Sequence, residues 1–240
     1  MVQESVIEKK NPPQAPQIRL RLRFRKTGRL RYISHLDLVR TMTKAVSRAK
    51  LPVWYTQGFN PVPKMVFATP MSVGMESLDE LVEIRMTEHI DPSMAIEALN
   101  RAVPRELCFY EAYEPENKLT DVAYAEYEVL IRTEQPLRET AEAIRALLAD
   151  PTLKCTNLTH GKQKERVVGT QTGDAEVSLT EDGLIRIFLT LGVSQGEFLN
   201  PEYVVAALGE HLPILTGSPL HNWVLTRRLR VLNASREHFV

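Results

Sequence analysis

The strongest constraint on the fold is a strictly alternating segment near the start of the chain. Its apolar positions are Ile18, Leu20, Leu22 and Phe24, and its intervening positions are Arg19, Arg21, Arg23 and Arg25. Side chains of a β-strand point alternately to the two faces of a sheet, so this period predicts a strand with one buried face. The opposite face carries the four arginines, which we call the arginine ladder.

Like charges on one face of a strand repel one another, so the arginine ladder needs a source of negative charge. Two sources are open at this point. Carboxylates of neighbouring strands, for example Glu83 in the segment 78–85, would neutralise the ladder from within the protein. Phosphates of an external polyanion would do so equally well, and in that case the ladder is a binding surface.

A helix is predicted to begin at Ser34. Ser34 and Asp37 have the three-residue spacing of a capping box, in which two side chains satisfy amide groups at a helix start. Downstream, apolar residues recur at the spacing of one helix face, namely Leu36, Val39, Met42 and Val46. Arg40 and Lys44 fall largely on the other face, which predicts an amphipathic helix packed on a sheet.

The turn 57–64, Gln-Gly-Phe-Asn-Pro-Val-Pro-Lys, is the second part of the candidate functional surface. Gly58 is expected to supply a backbone angle that other residues resist, and Lys64 is a candidate phosphate contact. Phe59 either stacks on a base or is simply buried, and the sequence leaves both open. Asn60 before proline is a turn former and a candidate base reader. The predicted RNA-binding or anion-binding residues are Arg19, Arg21, Arg23, Arg25, Arg29, Arg31, His35, Arg40, Gly58, Phe59, Asn60 and Lys64.

Charge is distributed unevenly although the chain is formally neutral. Residues 1–68 hold 14 Lys and Arg against 3 Asp and Glu, a balance of +11, and residues 69–240 hold 16 against 27, a balance of −11. A basic block of this kind attracts polyanions at long range and is common in nucleic-acid-binding proteins. It would also suit an acidic protein partner.

The composition indicates a soluble protein without a cysteine-based site. Cys108 and Cys155 are far apart, so we expect two reduced, mostly buried thiols and no metal site. No apolar run has the length needed to span a bilayer, and the first residues lack the apolar core of a signal peptide. The expected location is the cytoplasm.

Hydrophobic periodicity predicts an α+β protein built from two tandem ferredoxin-like (βαββαβ) units with antiparallel sheets backed by helices. Asp91-Pro92 and Asn200-Pro201 mark helix starts, and Lys154–Thr159 is the expected second strand of the later unit. The predicted organisation is a mobile proline-rich leader at 1–16, a basic domain at 17–117 and a second domain at 118–240. Periodicity leaves open whether the two sheets are continuous.

Three segments together resemble a known family: Lys-Thr-Gly-Arg-Leu-Arg-Tyr-Ile-Ser-His-Leu-Asp-Leu at 26–38, the turn 57–64, and Pro-Met-Ser-Val-Gly at 70–74. This is the bacterial family of uncharacterised proteins associated with radical SAM enzymes, found alone or fused behind such an enzyme. The resemblance implies that the chain presents a substrate, an RNA such as tRNA or rRNA, for modification. Radical SAM enzymes hold their iron–sulfur cluster with three closely spaced cysteines, and this chain has only two cysteines, which are far apart. We therefore expect the cluster and SAM only in a partner enzyme, and we expect no cofactor in this chain.

The sequence is compatible with three functions. The first is an RNA-binding accessory protein that acts with a radical SAM partner and is not catalytic on its own. The second is a metal-free endoribonuclease similar to CRISPR repeat-processing enzymes, with His35, Tyr32 and Lys64 as base, acid and phosphate stabiliser. The third is a protein-docking scaffold that does not contact nucleic acid.

Overall fold

The computed structural model describes residues 17–159 and 162–240, so the expected leader at 1–16 lies outside the described residues. The chain divides into two compact units. Unit 1 comprises residues 17–73 and Glu80–Leu119, and unit 2 comprises Gly74–Asp79 and Thr120–Val240. The segment Gly74–Asp79 lies within the sequence range expected for the first domain, but it belongs to unit 2 because its strand residues pair there.

Unit 1 has the ferredoxin-like order of elements. They are β1 (Ile18–Lys26), α1 (His35–Arg48), β2 (Met65–Phe67), β3 (Glu76–Met86, the first four residues of which belong to unit 2), α2 (Pro92–Ala102) and β4 (Leu107–Tyr113). The strands lie in the order β4-β1-β3, with β2 paired to β3, which is the order of a split βαβ unit. β1 runs antiparallel to β4, and β2 antiparallel to β3.

The apolar face of β1 forms the centre of the core of unit 1, as the alternation predicts. Leu20, Leu22 and Phe24 are all buried and belong to one cluster with α1 residues such as Met42. The Phe24 ring lies 5.7 Å from the Phe109 ring, centroid to centroid. The α1 residues in this cluster hold the helix against the sheet, and the polar face of α1 points away from the cluster.

The predicted helix starts are confirmed. The Ser34 hydroxyl accepts a hydrogen bond from the backbone N–H of Asp37 at 3.1 Å, and α1 begins at the next residue, His35. Asp91 caps α2 with proline at the first helical position, and Asn200 caps the last helix in the same way. These caps depend on local sequence alone, which explains why they could be predicted.

Unit 2 repeats the ferredoxin-like order with one insertion. Its elements after the start of β3 are β5 (Tyr124–Arg132), α3 (Leu137–Leu148), β6 (Lys154–Thr159), β7 (Lys162–Val167), β8 (Glu176–Leu179), β9 (Ile185–Gly192), α4 (Pro201–His211) and β10 (Trp223–Leu232). The strand order is β10-β5-β9-β8, and the first residues of β3 pair in parallel with β10. The α+β class and the tandem ferredoxin-like units are confirmed.

One strand of unit 2 differs from the prediction. Lys154–Thr159 is a strand, but it pairs with β7 in a separate two-stranded hairpin and is not the second strand of the sheet. The second strand of the sheet is the four-residue strand β8, which lies at its edge and pairs antiparallel with β9. β8 has only four residues, too few to give a clear alternating pattern, so the sequence did not distinguish it from the polar segment around it. Within the described ranges, no helix has both the length and the apolarity needed to cross a bilayer.

Candidate nucleic-acid interface

The centre of the arginine ladder is buried and paired within unit 1, which favours neighbouring carboxylates over an external anion as its source of negative charge. Arg21 and Arg23 are both 0% exposed. The Arg21 guanidinium donates to Glu83 Oε1 from Nη2 at 2.7 Å and from Nε at 3.2 Å, and Arg23 Nε lies 2.9 Å from Glu111 Oε2. Carboxylates of β3 and β4 therefore neutralise these two arginines inside unit 1.

The two ends of the ladder have different surroundings. Arg19 is half-buried, and its guanidinium donates to the backbone oxygens of Pro115 and Asn117 at 3.0 and 3.1 Å. Arg25 is exposed, with its guanidinium 5.2 Å from the centre of the Tyr110 ring. Arg25 is thus the single member of the ladder whose side chain is largely in contact with solvent.

The next predicted residues lie in a single 3-10 turn, Gly28–Tyr32, between β1 and α1. Arg29 is exposed. The Arg31 guanidinium lies 4.7 Å from the centre of the exposed Tyr32 ring and donates a hydrogen bond to its hydroxyl. Both the ring and the hydroxyl group of Tyr32 therefore interact with the adjacent Arg31.

His35 lies beside a cavity too small for a substrate. It is the first residue of α1, and its ring stands at 83° to the Phe67 ring with 5.2 Å between centroids. The cavity has a volume of about 10 Å³ and is also lined by Lys26 and Glu80. A cavity of this size holds one water molecule at most. Lys64 lines a different hollow, so the structure does not bring the proposed base and phosphate stabiliser to that cavity.

An open groove between α1 and the turn 57–64 joins several of the predicted site residues. It has a volume of about 500 Å³. We call it the α1 groove, and its lining residues are Val39, Arg40, Thr43, Lys44, Thr56, Val62, Pro63, Lys64 and Met65. Apolar atoms supply most of the exposed lining, and the ionisable members are three cations, Arg40, Lys44 and Lys64.

Backbone hydrogen bonds fix the turn that forms one wall of this groove. Thr56 N–H donates to the Val62 oxygen at 2.9 Å, and Lys64 N–H donates to the Trp54 oxygen at 2.8 Å. Between these anchors Gly58 has a φ of +130°, which a residue with a Cβ rarely adopts. The two ends of the turn are therefore held together by backbone hydrogen bonds, and Phe59 at its tip is fully exposed.

The charge of the groove is only partly compensated. Asp37 accepts from Arg40 at 3.1 Å, and hydrogen bonds from Ser34 and Arg40 hold the pKa of Asp37 below its usual value. Asp37 is thus ionised at neutral pH. No carboxylate of the described residues pairs with Lys44 or Lys64. The groove has two uncompensated cations and a third whose pairing is exposed and therefore weak.

The structure assigns the predicted residues unequal roles. Arg40 and Lys64 both line the α1 groove, and Gly58, Phe59 and Asn60 lie on the turn that forms one of its walls. Arg21 and Arg23 are buried in unit 1, and Arg19 is half-buried with its guanidinium bonded to backbone oxygens of the same unit. Lys44 was absent from the predicted site, although its four-residue spacing from Arg40 is the signal that identifies it. No group of three or more potential metal ligands exists among the residues 17–159 and 162–240 that are described.

The fold and the candidate site together are a tandem of ferredoxin-like units with a cationic groove and an exposed aromatic residue in unit 1. The chain belongs to the family described as "Uncharacterized protein conserved in bacteria (DUF2344)", whose model matches residues 19–201. No curated protein matches it.

Solved structures offer low-identity likenesses. A chain of the crystal structure of a Cbf5-Nop10-Gar1 complex is 11% identical with a TM-score of 0.47; the match covers 92% of this chain and 55% of that one. An unknown protein from Galdieria sulphuraria is 11% identical with a TM-score of 0.26, over 89% of this chain and 99% of that one. This chain therefore spans about half the length of the first of these structures.

Proposed function

We propose that this protein binds RNA in the α1 groove and presents it to a radical SAM enzyme. The observation that carries the RNA part is the meeting of Arg40, Lys44 and Lys64 in one groove beside the fully exposed ring of Phe59. Cations that follow a nucleic-acid backbone, combined with aromatic rings that stack on bases, are the two devices of single-strand-binding proteins.

The site differs from the one that the sequence suggests. Arg21 and Arg23 are buried and paired with Glu83 and Glu111, so the proposed ligand does not contact them. The exposed cations of α1 and the turn take over the role of phosphate contacts. The proposal keeps a basic first unit as the RNA-binding part, but moves the contact surface from the sheet to α1.

The nuclease hypothesis receives less support from the geometry. Cleavage at a ribose 2′-hydroxyl needs a base within hydrogen-bond reach of that group. His35 faces a cavity of about 10 Å³, and the Tyr32 hydroxyl accepts from Arg31. We therefore propose a binding module without catalytic activity of its own, with no cofactor in this chain.

Charge reversal in the α1 groove is expected to abolish most RNA binding. In the double variant Lys44→Glu/Lys64→Glu, the affinity for bulk bacterial RNA should fall by at least about tenfold at low salt, because two attractive phosphate interactions become repulsive. The slope of log affinity against log salt should also become shallower by about 1.4, or about 0.7 for each phosphate of a single strand that is no longer neutralised. Filter binding over a salt series measures both quantities.

The matched control is Arg132→Glu/Arg138→Glu, which makes the same change of net charge at exposed positions of unit 2. This variant should keep most of the affinity of the wild type. An equal loss in both variants would show that net charge matters and the groove does not. Wild-type protein that retains no RNA at low salt would refute the RNA proposal, and retention of an acidic protein instead would favour the docking scaffold.

The partner part of the proposal rests on the sequence resemblance and has its own test. Tagged protein should retain a radical SAM enzyme from a bacterial extract prepared without oxygen, and the eluate should contain iron and acid-labile sulfide. The purified chain alone should contain neither, because its two cysteines cannot supply a cluster's ligands. Repeating the experiment after ribonuclease treatment shows whether RNA bridges the two proteins. An eluate without iron under both conditions would contradict the partnership.

A further inference from the structure

The cations of the α1 groove continue along the helix beyond the groove itself. Arg40, Lys44 and Arg48 follow one another at intervals of four residues, so their Cα atoms are about 6 Å apart along the axis and lie on neighbouring parts of one face. All three side chains are exposed. Helix α1 contains one acidic residue, Asp37, and that residue lies in its first turn. The exposed face is therefore basic from the second turn to the end.

A second hollow lies where this row of cations ends. It has a volume of about 290 Å³ and lies between the last turns of α1 and α2. Its lining residues are Arg48, Ala49, Ala98, Arg101 and Ala102, so two exposed guanidinium groups stand over a floor of small side chains. Arg101 pairs with Glu97 at 2.8 Å, but both side chains are about two-thirds exposed, so a phosphate can compete for it.

The chemistry of this track favours an unpaired strand over a duplex. Phe59 is fully exposed on a tight turn, and stacking on it requires a base whose face is accessible. In a duplex the base faces are covered by their neighbours, whereas single-stranded RNA can splay its bases onto aromatic rings. The aliphatic floor of the α1 groove, formed by residues such as Val39, Val62 and Met65, likewise suits a base or ribose face.

We infer that the ligand of the α1 groove is single-stranded RNA, with one base on Phe59 and the backbone running past Lys64 and Lys44 to the hollow of Arg48 and Arg101. The inference rests on the proposed function, because it specifies which RNA structure the same site accepts and how far the binding surface extends. The strand follows α1 because the helix supplies cations at regular intervals.

The test uses fluorescence anisotropy with a labelled oligouridine of about twelve nucleotides, and a blunt RNA duplex of the same length. The wild type should bind the single strand at least about tenfold more tightly than the duplex. Phe59→Ala should weaken single-strand binding by about 5-fold to 150-fold, the effect of removing the ring on which one base stacks. Duplex binding should change by less than about twofold. Since the Phe59 side chain is fully exposed, the thermal unfolding temperature of the variant should stay unchanged.

The extent of the track is tested by Arg48→Ala/Arg101→Ala, compared with Arg132→Ala/Arg138→Ala. The first pair should weaken oligouridine binding by at least about fivefold and lower the salt slope by about 1.4, and the second pair should do neither. Equal affinity for duplex and single strand, or an unaltered Phe59→Ala variant, would overturn the single-strand inference while RNA binding stands. An unaltered Arg48→Ala/Arg101→Ala variant would overturn the track. Binding of neither RNA would refute the proposed function itself.

Discussion

Replacing Glu83 by alanine is expected to lower the free energy of unfolding by about 3 to 5 kcal/mol, the effect of removing one partner of a buried ion pair. Glu83 is 6% exposed and Arg21 is 0% exposed. The carboxylate accepts from two nitrogens of that guanidinium, at 2.7 and 3.2 Å. Removing it takes away the carboxylate that pairs with this buried guanidinium and helps to compensate for its desolvation. Urea unfolding followed by circular dichroism measures the change.

Two further variants identify the cause. In Arg21→Met/Glu83→Leu neither charge is buried, so the double variant should be considerably more stable than Glu83→Ala and within about 2 kcal/mol of the wild type. Glu97→Ala removes the carboxylate of the exposed pair with Arg101 and should cost at most about 1 kcal/mol. If Glu83→Ala cost no more than Glu97→Ala, the buried pair would not be the stabilising interaction that its geometry indicates.

Variants of the buried arginines cannot report RNA binding. Charge reversal of Arg21 and Arg23 would place carboxylates beside Glu83 and Glu111 in a buried setting, and the repulsion would unfold unit 1. Any decrease of RNA binding in such a variant would report the unfolding of the unit. The exposed residues Lys44 and Lys64 can be reversed without that complication, so they test the RNA interaction itself.

The parts of the fold that were predictable depend on local sequence. Three such features involve residues only a few positions apart: the helix cap at Ser34, the helix starts at Asp91-Pro92 and at Asn200-Pro201, and the buried face of β1. The same order of strand and helix periods recurs in both halves of the sequence, and this repeat was enough to predict the tandem ferredoxin-like order. None of these features needs knowledge of residues distant in the chain.

The state of the arginine ladder depended on distant residues and was not predictable. Alternation shows that arginines and apolar residues lie on opposite faces of β1, but it does not show what covers the polar face. Arg21 meets Glu83 across 62 positions, and Arg19 meets Asn117 across 98. Glu83 could be named as one possible partner, yet the choice between it and a phosphate required the folded chain. Carboxylates inside the protein therefore neutralise part of the excess positive charge of residues 1–68.

The cysteine prediction was half right, and a signal for the correct answer was present. Cys155 is buried, and burial raises the pKa of its thiol, as expected for an inert side chain. Cys108 is exposed. Its neighbours Leu107 and Phe109 both point to the core, so the period of two in β4 places Cys108 on the outer face. The local pattern of the strand therefore outweighs the general tendency of cysteine to be buried.

The second large effect is expected in unit 2, where Gly169→Ala should lower the free energy of unfolding by about 3 kcal/mol or more through overpacking. A Cβ on Gly169 would lie 2.1 Å from the Asp150 oxygen, 2.7 Å from the Pro151 carbonyl carbon and 2.9 Å from the Leu153 nitrogen. All three atoms belong to the backbone of the turn after α3, so no side-chain rotation relieves the clash. Gly169 N–H also donates to the Leu153 oxygen at 3.1 Å, which holds the two segments together.

Gly173 is the matched control, because it lies four residues further along the same segment and a Cβ there meets nothing within 4 Å. Gly173→Ala should leave the protein unchanged or make it more stable by up to about 1 kcal/mol, since alanine restricts the unfolded chain more than glycine does. Urea unfolding of the two variants side by side separates a steric effect from a general effect of replacing a glycine. Similar stability of both variants would mean that the turn after α3 moves away from Gly169 at little cost. A large difference would show that this turn cannot move away from Gly169, and that the close packing of Gly169 on Asp150–Leu153 holds together the two chain ends of the inserted β6–β7 hairpin.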